Sequence, residues 1–175
     1  IPAWFQDLDS NKPLGEGNNF LYGPVTKNTS VFVEPLLKKE LNISYDETLH
    51  NTTTLKNTGL TFDVKKESYF ESVTVFIAKE GLHVFNLVND KSKIIKSVNG
   101  NFKLGKQTLK FDALMQPGLN YKIVMAVVKE AGINNQNITF PMDIDDVITI
   151  NKSIGFTEEE NSTTFAIFFD WKISL

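Results

Sequence analysis

The sequence predicts an all-β fold: an antiparallel β-sandwich, jelly-roll or immunoglobulin-like, with an irregular N-terminal segment. Three observations predict it. Apolar residues fall at every second position through most of the chain after Gly59, as in "GLTFDV" and "TFAIFFDWKISL", the period of a strand with one face buried. Turn formers interrupt that pattern at short intervals: Lys79-Glu80-Gly81, Asn89-Asp90, Asn99-Gly100-Asn101, Gln116-Pro117-Gly118, Gly132 to Asn135, and Gly155. No long segment carries a helical period, and short strands at this spacing make a sandwich or barrel.

Residues 1–45 read differently from the rest. They are rich in Gly, Asn and Pro ("NKPLGEGNNFLYGPV") and hold two short strand candidates, "SVFVE" and "LNISY". A short helix is expected around "EPLLKKEL", where Leu36, Leu37 and Leu41 form a small apolar stripe. This segment is expected to be an arm or to pack on a sandwich edge, leaving residues 46–175 as the sandwich domain. There the strands are expected in order. In "GLTFDV", Leu60, Phe62 and Val64 share a face. In "YFESVTVFIA", Phe70, Ser72, Thr74 and Phe76 lie opposite Glu71, Val73, Val75 and Ile77. Then come "GLHVFNLV", "KIIKSV", "QTLKFDAL", "NYKIVMAVV", "NITF" and "DVITI". The last strand, "TFAIFFDWKISL", should turn Phe165, Ile167, Phe169, Trp171 and Ile173 inward, with Ala166, Phe168, Asp170 and Lys172 on the other face.

Composition narrows the function classes. The chain is long enough, and at 41% hydrophobic apolar enough, to bury a core without staples. All 18 basic residues are lysine and the net charge is -3. Without arginine, the side chain that grips phosphate with two parallel hydrogen bonds, nucleic acid is not an expected partner. Cysteine is absent, which removes disulfides, thiolate metal sites and a cysteine nucleophile. No apolar run approaches the roughly 18–20 residues that span a bilayer, so a soluble domain without a transmembrane segment is expected. Ile1 in place of methionine leads us to expect a processed terminus, such as one left by signal removal.

Catalytic signatures are missing. There is no "HExxH" and no "GxSxG". Only His50 and His83 could supply imidazole, and His83, between Leu82 and Val84, is expected at the surface or between strands. A pair of carboxylates suited to glycoside hydrolysis always exists among 21 acidic residues, so their presence says nothing. The chain is therefore expected not to be an enzyme. Asp143, Asp145 and Asp146, together with Glu158, Glu159 or Glu160, offer hard oxygen ligands for calcium, and calcium is the one candidate cofactor. The competing reading is a solvated turn before the strand Val147 to Ile150. Carbohydrate stacking draws on rings that fall outside the last strand or on an exposed face: Trp4, Phe5, Tyr22, Tyr69 and Phe76. Six N-x-S/T sequons, at Asn28, Asn42, Asn51, Asn137, Asn151 and Asn161, matter in a host that glycosylates asparagine. The apolar N-terminal run Ile1 to Phe5 suits strand addition to a neighbour.

From about residue 57 onward, the order of segments resembles the jelly-roll-like β-sandwich modules of Bacteroidetes surface and secreted proteins and of the phages of those hosts. The residues that carry the resemblance are "GLTFDV", "FESVTVFIA", "VFNLVNDKSKIIKS", "GKQTLKFDALMQPGLNYKI", "ITFPMDIDDVITI" and "FAIFFDW". The chain departs from that pattern where Asp145-Asp146 stands for Pro-Gly, and where phenylalanine and alanine replace tyrosines before Asp170-Trp171. The resemblance implies a non-catalytic module that spaces, anchors or binds, located outside the cell or on its surface. The expected function is adhesion, anchoring or assembly through protein partners or self-association. The alternatives are a virion decoration protein and a carbohydrate-binding module.

Overall fold

The computed structural model describes residues 2–5, 14–16, 31–35, 38–41, 52–53, 57–127, 130–134 and 138–175. The chain divides into two compact units, Ile1–Lys38 and Lys39–Leu175. The first holds a three-stranded sheet in which β1 (Pro2–Phe5) lies between β2 (Gly15–Glu16) and β3 (Phe32–Pro35), antiparallel to both.

The second unit is an all-β antiparallel sandwich of two packed sheets, not a closed barrel. Its strands are β4 (Lys38–Leu41), β5 (Thr52–Thr53), β6 (Thr58–Val64), β7 (Ser68–Ile77), β8 (Gly81–Val88), β9 (Ile94–Phe102), β10 (Gly105–Met115), β11 (Gly118–Met125), β12 (Ala131–Asn134), β13 (Met142–Ile144), β14 (Ile148–Ile154), β15 (Phe165–Ala166) and β16 (Phe169–Ser174), with one short helix, α1 (Glu158–Thr163). One sheet runs β13-β14-β6-β11-β8-β9. The other is centred on β7, which pairs with β10 on one side and with β16 and β12 beyond; β4 flanks β16, and β5 and β15 flank β12. The chain crosses from one sheet to the other after β5, β6, β7, β9, β10, β11, β12 and β14, so each sheet is closed by segments distant in sequence.

The inward faces follow the period of two. β6 buries Leu60, Phe62 and Val64; β11 buries Tyr121, Ile123 and Met125; β10 buries Leu109, Phe111, Ala113 and Met115. Trp171 sits at the centre, fully buried, with its ring 5.1 Å from Phe62 edge-on and 4.9 Å from Phe70. Among the described residues no helix is long and apolar enough to cross a membrane.

Where the chain departs from simple alternation, the cause is register. In β7, Phe70 points inward and so do Val73, Val75 and Ile77, while Ser72 and Thr74 pair with the outward Lys110 and Thr108. The face therefore switches between Phe70 and Ser72, and the expected grouping of Phe70 with Ser72, Thr74 and Phe76 fails at Phe70. Both flanking strands carry irregularities around this level, β10 between Lys110 and Ala113, opposite Ser72 and Phe70, and β16 on both sides of Lys172, between Phe169 and Lys172 and between Lys172 and Ile173. Asp112 (φ 45°) and Asp170 (φ 46°) occupy them in left-handed conformations, which aspartate tolerates better than most residues.

The terminal stretch is likewise broken. Ile167 has φ 41°, an outlier for a β-branched residue. The amide of Phe168 donates back to the Ala166 carbonyl at 2.5 Å, separating β15 from β16. Phe168, expected to face outward, is instead fully buried, edge-on to Phe85 at 5.9 Å. The helix expected around Leu36 to Leu41 is replaced by strand on both sides of residues 36–37, because pairing with β16 at the sheet edge outweighs a weak local helical stripe.

Asn161 links α1 to the loop before it. Its Oδ1 accepts from the Phe156 amide at 3.2 Å and its Nδ2 donates to the Phe156 carbonyl at 3.3 Å, with the residue 9% exposed. Nδ2 is the atom a glycan would occupy, and in the folded chain it is engaged on a nearly buried residue. Asn161→Ala is expected to lower unfolding free energy by about 1–2 kcal/mol, for two lost bonds to part-buried backbone groups. A denaturant midpoint unchanged from the parent would contradict this.

Candidate functional site

The outward face of β10-β7-β16 holds the most coherent recess. Cross-strand register builds it in rows. Lys110 and Lys172 flank Ser72 on either side, and Thr108 lies beside Thr74 in the next row. Asp170, at the bulge, and Glu40, from β4, complete an open surface depression of about 560 Å³ with a mainly polar lining. Two bulged strands bend and twist more strongly than regular ones, so a face between them is recessed rather than flat. Glu40 and Lys172 form an ion pair at 3.5 Å. Ser72 is buried between its lysine neighbours although it points outward. Among the described residues Lys110 makes no ion pair.

Tyr69 and Phe76, both expected to stack on sugars, lie on β7 at opposite ends of this recess. Each alternates with fully or nearly fully buried neighbours: Tyr69 sits between Ser68 and Phe70, and Phe76 between Val75 and Ile77. Each is half-buried, paired across the strand with Leu114 and Lys106 respectively, and Phe76 packs against the core. Trp4 is half-buried and Phe5 buried in β1 of the N-terminal unit, and Tyr22 lies outside the described residues.

The acidic candidates form the turn between β13 and β14. Asp145 (φ 48°) and Asp146 (φ 57°) occupy its corners, closed by the Val147 amide donating to Ile144 at 2.9 Å. Two successive positive φ values are the signature of tight hairpin turns of the primed type, where aspartate is well tolerated. Asp143 accepts from the Asp146 amide at 2.6 Å, from Thr149 at 3.1 Å, and from the Lys65 ammonium. Asp146 meets Lys65 at 3.2 Å and Lys66 at 3.3 Å, while Asp145 turns to Lys39 at 3.1 Å. The structure thus brings Asp143 and Asp146 together on one lysine and directs Asp145 elsewhere. A calcium ion here would compete with three ammonium groups. Among the described residues no group of three or more His, Asp or Glu side chains converges as metal ligands do.

Electrostatics follow from this geometry. The Lys65 hydrogen bond holds the Asp143 carboxyl below its ordinary value, helped by the Asp146 amide, and Lys65 and Lys66 do the same for Asp146. Asp143 and Asp146 raise Lys65 in turn. A carboxylate lowered in the fold stabilises it above its unfolded value and loses that contribution as pH falls through the folded one. A lysine raised in the fold contributes below its unfolded value and loses the contribution as pH rises through the folded one. The network is therefore complete between the ordinary carboxylate value of 3.8 and the ordinary lysine value of 10.5, and weakens on either side. Lys65→Met is expected to move the Asp143 carboxyl titration upward, toward 3.8, in a carbon-detected NMR titration. An unmoved titration would contradict the assignment of Lys65 as its main partner.

His83, expected at the surface or between strands, is fully buried. It points inward because it shares the face of Phe85 and Leu87, stacking on Phe85 and meeting Phe102 edge-on at 5.9 Å. Its Nδ1 lies 2.9 Å from the Gly81 carbonyl, and its Nε2 finds no partner among the described residues.

A second recess of about 480 Å³ lies at the loop end, between the β8–β9 turn and Pro117. Burial, and behind it the charge of Asp90, raises the Tyr121 hydroxyl there, which donates to the Gln116 carbonyl at 2.8 Å.

Ser72, Thr74, Thr108 and Lys110 were not singled out by sequence reasoning. Their signal is present in "SVTV" and "TLKF", where hydroxyl or lysine positions alternate with apolar ones, but only the register across β7 and β10 makes a site of them. No protein-family model, curated protein or solved structure matches this chain.

Proposed function

We propose that this chain is a non-enzymatic β-sandwich module of the surface or secreted kind, which adheres to carbohydrate through the outward face of β10-β7-β16. The observation that carries this reading is the recess between two bulged strands, lined by hydroxyl, ammonium and carboxylate groups. Groups of these kinds exchange hydrogen bonds with the ring hydroxyls of a sugar. The site rests on paired strands rather than on loops, so its groups are positioned by the sheet itself. The resemblance in "FESVTVFIA" and "FAIFFDW" to extracellular β-sandwich modules supports the same reading.

The test is a glycan array probed with the whole chain and with Thr108→Val, an exposed position of the recess. Binding by the parent, weakened in the variant, supports the reading. An array blank for the parent contradicts it.

A further inference from the structure

β9 closes one end of the β13-β14-β6-β11-β8-β9 sheet, and among the described residues no strand pairs with its other side. An unpaired edge is a row of backbone donors and acceptors open to an added strand, and chains blunt such edges with short strands, charges, proline or bulges. The other edges of this unit follow that rule. β4, β5, β13 and β15 have four residues or fewer, and β10 is broken by the bulge at Asp112. β9 is not blunted along its middle. It keeps an unbroken register with β8 from Phe102 to Lys96, and its stretch "SVNGNF" holds neither charge nor proline. Ile95, Val98 and Phe102 pack on the core yet are only half-buried, so an added strand finds an apolar row to continue. Ile94 and Leu104, at the two ends, are 52% and 59% exposed. By contrast β1, the run expected to add to a neighbour, already has a partner on each side.

Charge selects the occupant. At the start of β9 stand Lys91, Lys93 and Lys96 with Asp90; at its end stand Lys103 and Lys106, with Lys79 and Glu80 in the turn before Gly81, which pairs with Phe102. Each end thus carries three lysines and one carboxylate, and among the described residues none of these lysines makes an ion pair. A second copy laid antiparallel about Val98 sets Lys93 against Lys103 at both ends, and like charges directly opposite are destabilising. The same lysines attract carboxylates. We infer that β9 is a docking edge for an extended peptide segment of a partner protein, apolar at alternate positions along its middle and acidic at both ends. The backbone of that segment pairs with β9, its apolar side chains cover Ile95, Val98 and Phe102, and its acidic ends meet the two groups of lysines. This edge belongs to the opposite sheet from the β10-β7-β16 recess and does not depend on the carbohydrate reading.

Two terminally blocked peptides test this on the whole chain, both alternating valine with threonine, one with glutamates at each end and the other with lysines. Fluorescence anisotropy gives affinity, and amide hydrogen exchange read by NMR gives place. The acidic peptide is expected to bind at least about tenfold tighter than its lysine twin, with the difference shrinking as salt is raised. On binding, alternate amides between Lys96 and Phe102 should become protected, since only every second amide of a strand faces a given neighbour. A proline at the centre of the acidic peptide should weaken it about tenfold or more, because it removes a ladder donor. Lys93→Glu combined with Lys103→Glu, both at exposed positions, is expected to reverse the preference, so that tighter binding of the lysine peptide also reports an intact fold. Equal affinity for the two peptides, protection outside β9, or no binding overturns the inference. Protection of β9 amides that grows with the concentration of the chain alone also overturns it, by identifying a second copy as the occupant.

Discussion

Trp171→Ala is expected to lower the unfolding free energy by about 3–5 kcal/mol, the cost of truncating a large aromatic in a packed core. The indole is fully buried, in contact with Phe62 from one sheet and Phe70 from the other. Removing it opens a void at the point where the two sheets meet. Its Nε1 also donates to the Phe168 carbonyl at 2.8 Å, and that bond helps hold the irregular link between β15 and β16. Trp171→Phe separates the two contributions. It keeps most of the packing and loses the bond, with an expected cost of about 1–3 kcal/mol. Denaturant unfolding of both variants checks this, and an alanine variant as stable as the parent would contradict it.

Gly59→Ala is expected to destabilise by about 3 kcal/mol or more, although it adds a single methyl group. A Cβ at Gly59 would lie 1.9 Å from the Ile123 carbonyl oxygen and 2.9 Å from the Val124 Cα, all backbone atoms of β11. Side-chain rotation cannot relieve that clash. β6 lies between β14 and β11, so the strands have to part and the ladder loses its register. Gly100→Ala, in edge strand β9, is the contrast: the nearest atom to its Cβ would be a Phe102 ring carbon at 3.8 Å. It is expected to change stability by less than about 1 kcal/mol. Similar effects for the two glycines would contradict the close approach of β6 and β11.

The fold class was legible because alternation is a local property. "GLTFDV" announces the buried face of β6 whatever lies beside it, and Leu60, Phe62 and Val64 are all buried. What escaped depends on partners far away in sequence. The face switch in β7 is matched by irregularities in β10 and β16, and nothing within "YFESVTVFIA" marks it. The left-handed turn at Ile167 is set by the junction of β15 with β16, so strict alternation was a poor guide to Phe168. His83 carries a polar side chain at an inward position, and alternation with Leu82 and Val84 could not tell which face was which.

The candidate site divides the same way. Alternation alone puts Tyr69 and Phe76, seven residues apart on one strand, on opposite faces. That Lys110, Ser72 and Lys172 form one row could not be read either, since they are 38 and 100 residues apart along the chain. The acidic turn showed the converse: three aspartates in four positions look like ligands, but Lys39, Lys65 and Lys66 arrive from β4 and from beyond β6 to meet them.

The most direct test of the account is an amide NMR titration of the whole chain with the sugar that binds most tightly on the array. The account predicts the largest shifts at Ser72, Thr74, Thr108 and Lys110, with residues of β9 and β14 unmoved. Shifts confined to the loop-end recess around Asn89, Gln116 and Tyr121, or to the acidic turn at Asp143 to Asp146, would contradict it.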